Sequence, residues 1–239
     1  DNIRQGNSLI SGTEEELRSY FGDKWQEKRP FNWEQEFKDI MANRGFDIVI
    51  GNPPYVTYQM SREEKEFYKN LYASSVSGKI NTYRLFVHRA LMVMKEGGLF
   101  AFIIPNTWMS DKNASNFRKM LLANFRIIAI HVFGEKIFRE VTQATTILVM
   151  QKDASAGEKD YDVRIKLAET PEDLEGEEVI VKLSDVLFDK NGDRVFVATF
   201  VPSSYRLKRK TEGRSARLAE IIEGVHTGEV QMDLYAESI

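Results

Sequence analysis

"FDIVIGNPPYV", Phe46 to Val56, is the stretch on which the fold turns. Its first half is an apolar, β-branched run of the kind expected for a buried strand covered on both faces, as in a parallel sheet. The run then meets Asn52, Pro53, Pro54 and Tyr55. A proline has no backbone N–H to give to a sheet ladder, fixes its own φ, and drives the residue before it towards extended backbone. Two in succession make a stiff corner just past the carboxyl end of the strand.

Downstream of the corner, "SREEKEFYKNLY" predicts a helix. A second follows in "NTYRLFVHRALMVMKEGG", where Tyr83, Phe86, Ala90, Leu91 and Met94 recur at helical spacing and Gly97-Gly98 supplies a left-handed stop. "LFAFIIP" then reads as another buried strand. Strand, helix, strand is the βαβ rhythm, so these two strands should pair in parallel. "NASNFRKMLLAN" continues as a helix with Phe117, Leu121 and Leu122 inward, and "FRIIAIHVF" as a strand. The link to "TTILVM" is too short for a crossover helix, so that strand should return antiparallel. "YDVRIKL", "EVIVKL" and "RVFVATF", separated by turn signals such as "KNGD", predict a small β annex.

At 239 residues and 42% hydrophobic content the chain can bury one full core. No apolar run reaches the roughly eighteen residues of a membrane-spanning helix. With no cysteine, disulfides, thiolate metal sites and a cysteine nucleophile are excluded. His88, His131 and His226 have no ligand spacing, and no metal site is predicted. The net charge of −3 argues against a uniformly basic nucleic-acid binder, yet "YRLKRKTEGRSAR" (Tyr205 to Arg217) carries six cations against one anion. Arg206, Lys208, Arg209 and Lys210 are therefore candidates for salt-sensitive phosphate contacts, or else a solubilising linker.

Ligands of open parallel sheets bind outside the carboxyl ends of the strands, where Asn52 to Tyr55 lie. An exocyclic amine on an aromatic ring is a poor nucleophile because its lone pair is delocalised into the ring. Two acceptors aimed at its two N–H groups favour a pyramidal nitrogen and free that pair. Asn52 offers a side-chain carbonyl, and Pro53 a main-chain carbonyl held by its own ring and by Pro54. Tyr55 can lie flat on the heterocycle, where base–aromatic stacking contributes about 1–3 kcal/mol. The competing reading is a corner that merely terminates a strand.

Four segments occur in one order: "QGNSLI", "NPPY", "YRLFVHRALMVMKEGGLFAFIIPNTWM" and "KIFREVTQATTILVM". Together they resemble the catalytic domain of N6-adenine DNA methyltransferases of restriction-modification systems, in the gamma-like class. That class includes single-chain type IIG enzymes that fuse nuclease, methyltransferase and specificity region. The resemblance covers residues 1 to 150 or so and implies an α/β fold: part of a class I S-adenosylmethionine-dependent methyltransferase (Rossmann-like) sheet with a small β annex. It implies a catalytic portion over 1–152, the annex over 153–202, and a basic linker opening a target-recognition domain over 203–239. Carried across, Asn52 and Pro53 accept the adenine N6 hydrogens, Tyr55 stacks on the flipped base, and Phe138 forms a second aromatic wall, with Phe133 as the alternative. Phe86 contacts the adenine of S-adenosylmethionine. Asn7 stands where the family usually has Asp, and as a neutral amide it accepts the cofactor's amino hydrogen more weakly. Taken singly, Phe86 and Phe138 read equally well as core, and Trp108 as support for its loop. Double-stranded DNA is the implied partner, and a bacterial or archaeal cytoplasm the implied setting.

One family feature has no counterpart. The glycine-rich turn that binds the cofactor precedes "NPPY" in the family's chain order, so the resemblance implies a missing N-terminal part of the same polypeptide. It implies an open edge beside Phe46–Gly51, and an isolated chain that binds cofactor weakly and is inactive. Other readings stay open. A protein glutamine N5-methyltransferase also uses "NPPY"; a non-catalytic DNA-specificity piece would keep the fold without the chemistry; N4-cytosine methylation shares the geometry. C5-cytosine methylation needs a cysteine. "EEK", Glu63 to Lys65, resembles the Glu-x-Lys of metal nucleases but has no evident acidic partner.

Overall fold

Helices α1 (Glu14–Phe21), α2 (Trp33–Glu36) and α3 (Lys38–Ala42) lead into strand β1 (Phe46–Gly51). Then come α4 (Arg62–Leu71), α5 (Thr82–Val93), β2 (Met94–Pro105), α6 (Ser115–Asn124), β3 (Phe125–Phe133) and β4 (Thr145–Lys152). The order closes with β5 (Asp162–Ala168), β6 (Val179–Lys182), α7 (Leu183–Val186), β7 (Leu187–Lys190) and β8 (Asp193–Phe196). This computed structural model describes residues 3–55, 60–76, 78–135, 137, 144–168, 170–190 and 192–197.

Six strands form one mixed sheet in the order β1-β2-β4-β3-β5-β6. β1 and β2 pair in parallel, as the βαβ rhythm predicts, and β4 returns antiparallel to insert between β2 and β3. The annex is smaller than expected. β5 pairs in parallel with β3 and β6 antiparallel with β5, so both extend the main sheet, and among the described residues the β7–β8 hairpin stands apart. Both predicted helices around the corner form. α4 opens on a capping box in which Ser61 and Glu64 satisfy each other's backbone N–H. α6 buries Phe117, Leu121 and Leu122 as expected.

Two expectations are corrected. Gly97-Gly98 does not end α5. The helix stops at Val93, and its last carbonyls are met by a cation from another element: Lys152 Nζ on β4 donates to Leu91 O (2.8 Å) and Met94 O (2.7 Å). The glycines serve the register instead. Between the pairs Phe46↔Met94 and Ile48↔Leu99 the β2 chain bulges, with Gly97 at φ 78°.

The second correction concerns β1, which is covered on one face only. On β2, Phe100, Phe102 and Ile104 are buried on the side packed by α5. The opposite side carries Leu99, Ala101 and Ile103, with Ile48 and Ile50 beside the first two in register. There Ile48 is 57%, Ile50 77% and Leu99 40% exposed. The run is apolar on both faces, as a doubly covered strand requires, but among the described residues nothing lies over this one.

Candidate active site

The corner is built where β1 stops and β2 runs on. The last β1–β2 pair is Gly51↔Phe102, while β2 continues to Pro105. Glycine at residue 51 lets the strands approach: a Cβ there would sit 2.8 Å from the Phe102 ring and force it to shift. Pro53 is buried and anchors the turn, and Asn52 and Pro54 are exposed. Tyr55 is half-buried, and its hydroxyl lies 3.0 Å from Asn52 Oδ1 and 3.0 Å from the Ile103 carbonyl, one residue past the end of the β1 pairing. Burial pushes the Tyr55 pKa up, so the hydroxyl keeps its one hydrogen at neutral pH and shares it between the two oxygens. Asn52 Oδ1 has two lone pairs, and one stays available to an incoming N–H. Asn52 and Tyr55 thus share one corner, tied to each other as well as to the sheet.

A further bond comes from α5. Thr82 Oγ1 donates to the Pro54 carbonyl at 2.6 Å. Sequence reasoning found neither Thr82 nor Ile103. Thr82 read as an ordinary first-turn residue, and the bond spans 28 residues of chain, so no local pattern marks it.

The other predicted residues fall as follows. Asn7 bridges to Pro30, its N–H donates to Arg29 O (2.7 Å), and its Oδ1 accepts from Leu9 N (3.1 Å) in a local turn. That turn delivers Leu9 (3% exposed) and Ile10 (0%) into a core cluster with Tyr68, Tyr72 and Leu85, against which Phe86 packs half-buried. Phe86 and the segment after Asn7 therefore border the same core cluster. Phe133 is buried at the end of β3 opposite Thr145. Trp108 is fully buried, with its ring 5.0 Å from that of Phe196 on β8, which fits the support role. Phe138, Arg206, Lys208, Arg209 and Lys210 lie outside the described residues. The "EEK" segment is structural: Glu64 caps α4 and pairs with Lys28 at 3.1 Å.

The stretch of chain that carries these segments resembles known proteins. The family model for the Eco57I restriction-modification methylase matches residues 3–138, more than half of the chain. The chain belongs to this family.

Within it, the chain is 28% identical over 173 residues to the type II restriction enzyme and methyltransferase RM.Eco57I of Escherichia coli, covering 68% of this chain and 16% of that protein. It is 31% identical over 147 residues to the type II methyltransferase M.HincII of Haemophilus influenzae, covering 59% of this chain and 29% of the relative. The adenine-specific methyltransferase BrxX of Escherichia coli O9:H4 (strain HS) is 30% identical over 104 residues, 43% of this chain and 8% of that one. The chain thus spans less than a third of the length of each of these relatives. Among solved structures, a modification subunit of a putative type I restriction enzyme from Vibrio vulnificus YJ016 superposes with a TM-score of 0.50 at 14% identity, over 72% of this chain and 41% of that one. That likeness is one of fold. All the described segments of the corner and of the Asn7 turn fall inside the span matched by the Eco57I-family model.

Proposed function

We propose that this Eco57I-family chain is the amine-binding half of a DNA methyltransferase that transfers a methyl group to N6 of an adenine flipped out of the duplex, within a restriction-modification enzyme. The single observation that carries the proposal is the pairing of Asn52 Oδ1 with the Tyr55 hydroxyl at 3.0 Å, at the carboxyl end of a parallel strand. It supplies a rigid acceptor beside an aromatic plate, in the place where such sheets bind ligands. Asn52 Oδ1 and the Pro53 carbonyl take the two amine hydrogens and localise the nitrogen lone pair; Tyr55 stacks on the base and Phe138 closes the other side. Extruding the base costs a few kcal/mol. The names of the relatives, one of them adenine-specific, support DNA as the substrate.

S-adenosylmethionine, when bound, supplies the sulfonium methyl. This chain suits one end of it: Phe86 packs half-buried against the core cluster that also holds Leu9 and Ile10, and Asn7 Oδ1 retains one lone pair beyond its turn. Among the described residues no glycine-rich turn follows a strand to receive the rest. Among the described residues the outer edge of β1 is unpaired and the Ile48–Ile50–Leu99 face bare, which suits additional chain of a longer polypeptide, on which cofactor binding then depends. In this reading residues 1–152 are catalytic, 153–202 an appended β segment, and 203–239 a basic linker into DNA recognition, with Arg206, Lys208, Arg209 and Lys210 on phosphates. The enzyme works in a bacterial or archaeal cytoplasm.

The test uses the full-length protein and unmethylated phage DNA, with N6-methyladenine measured by mass spectrometry of the hydrolysed nucleosides. Asn52→Ala is expected to lower methyl transfer at least about a hundred-fold, the scale of losing a preorganised group that acts in the transition state. Wild-type turnover in that variant, or methyl appearing only on a protein glutamine, would overturn the assignment.

A further inference from the structure

The corner is stiff everywhere except at one torsion. Asn52 and Pro53 are each restricted because a proline follows them, and the φ angles of Pro53 and Pro54 are locked by their rings. The ψ of Pro54 is the one soft backbone torsion left between the Pro53 carbonyl and the backbone of Tyr55. That torsion sets where the Pro54 carbonyl points, and the Pro54 carbonyl is the group that Thr82 holds at 2.6 Å.

We propose that Thr82 is a positioning residue for methyl transfer: by fixing the Pro54 carbonyl it sets the angle between the Pro53 acceptor and the Tyr55 ring. The inference rests on the amine-binding reading of the corner. Thr82 is suited to the task because it cannot drift. It is 2% exposed and is the first residue of α5, whose residues Tyr83, Leu85, Val87, Ala90 and Val93 are all buried. At the other end of the helix Lys152 holds the last carbonyls. The positive end of the helix dipole also favours a carbonyl oxygen at this place. On the far side of the free torsion, the Tyr55 hydroxyl is tied to Ile103 O at 3.0 Å. The loop is therefore pinned on both sides, to α5 and to β2. Removing Thr82's hydroxyl leaves the Tyr55 side alone to fix this torsion, so the angle between the Pro53 acceptor and the ring that must hold the base is less sharply set.

The test compares Thr82→Val, which keeps the shape and loses the donor, with Thr82→Ser, which keeps the donor, in the full-length protein. The readout is single-turnover transfer of radiolabelled methyl from S-adenosylmethionine to unmethylated phage DNA. Thr82→Val is expected to slow transfer about ten-fold, the scale of one neutral hydrogen bond acting on geometry. KM for the cofactor, the DNA dissociation constant and the urea midpoint should stay at wild-type values, and Thr82→Ser should restore most of the rate. Wild-type rate in Thr82→Val beside an inactive Asn52→Ala would overturn the positioning role while leaving the amine-binding reading in place. So would a loss in Thr82→Val that follows lowered stability, or that serine fails to rescue. Full activity in Asn52→Ala would instead sink the amine-binding reading, and this inference with it.

Discussion

The corner at Asn52 was legible in the sequence because its shape depends on its chain neighbours: the strand before it and the two prolines after it carry most of the geometry. What the sequence concealed at this scale is what reaches the corner from elsewhere, namely the shared Tyr55 hydroxyl, the Ile103 carbonyl and Thr82. His88 shows the same limit. From sequence it reads as a solvated or satisfied surface group. In the structure its Nδ1 lies 2.8 Å from the Ser75 hydroxyl, and its ring lies 5.3 Å from that of Tyr72. Burial, helped by the neighbouring Arg89 cation, pushes its pKa down to about 4 from 6.5. The folded state therefore refuses a proton that the unfolded chain accepts between about pH 6.5 and pH 4, and stability contributed by neutral His88 is lost as pH falls through that window. We expect the urea midpoint of the chain to drop more steeply from pH 7 to pH 5 in wild type than in His88→Gln, which cannot titrate. Equal slopes would remove His88 from the acid response. The group keeps some solvent contact, so the slope difference is modest.

At the scale of elements, helices and strands were readable wherever one period dominated. α6 and β3 follow their patterns, and β4 turned back where the short connection required it. The end of α5 was misread because its cap lies in Lys152, 59 residues after Val93 in sequence, and a double glycine nearby offered a local explanation. Where the annex strands pair was not legible for a related reason: alternation announces a strand but says nothing about which edge it joins. One buried cation shows how far such assembly reaches. Arg118 on α6 is fully buried, and it donates to Trp108 O (2.9 Å), Asp111 O (2.8 Å) and Arg194 O (2.6 Å) while pairing with Asp193 at 2.5 Å. It thus joins α6, the loop after β2 and the β7–β8 hairpin. Arg118→Met keeps the bulk but strands a carboxylate and three carbonyls, and should cost about 3 kcal/mol of stability, the lower end for breaking a buried ion pair. Urea denaturation of the chain measures it. A midpoint equal to wild type would mean the hairpin is not held by this residue.

For the whole molecule, the informative conflict is between what β1 is made of and where it sits. Its run predicts a strand covered on both faces, yet among the described residues β1 is the outermost strand of the sheet and Ile50 on it is 77% exposed. Residues of this kind on an unpaired edge are a hazard for a chain on its own, since the free N–H and C=O groups template pairing with a second copy. The sequence holds the pattern, and under the proposed function the cover is additional chain of a longer enzyme. Ile50→Lys separates the possibilities, because the same change has opposite consequences in the two settings. In the 239-residue chain the lysine meets water: self-association should fall in sedimentation velocity, with stability within about 0.5 kcal/mol of wild type, as for surface substitutions generally. In the full-length enzyme the same lysine would bring a charge into an apolar layer, lowering stability by at least about 2 kcal/mol and methyl transfer with it. If Ile50→Lys leaves the melting temperature and activity of the full-length enzyme unchanged, this face is solvent in the working protein, and the strand's apolar pattern needs another cause.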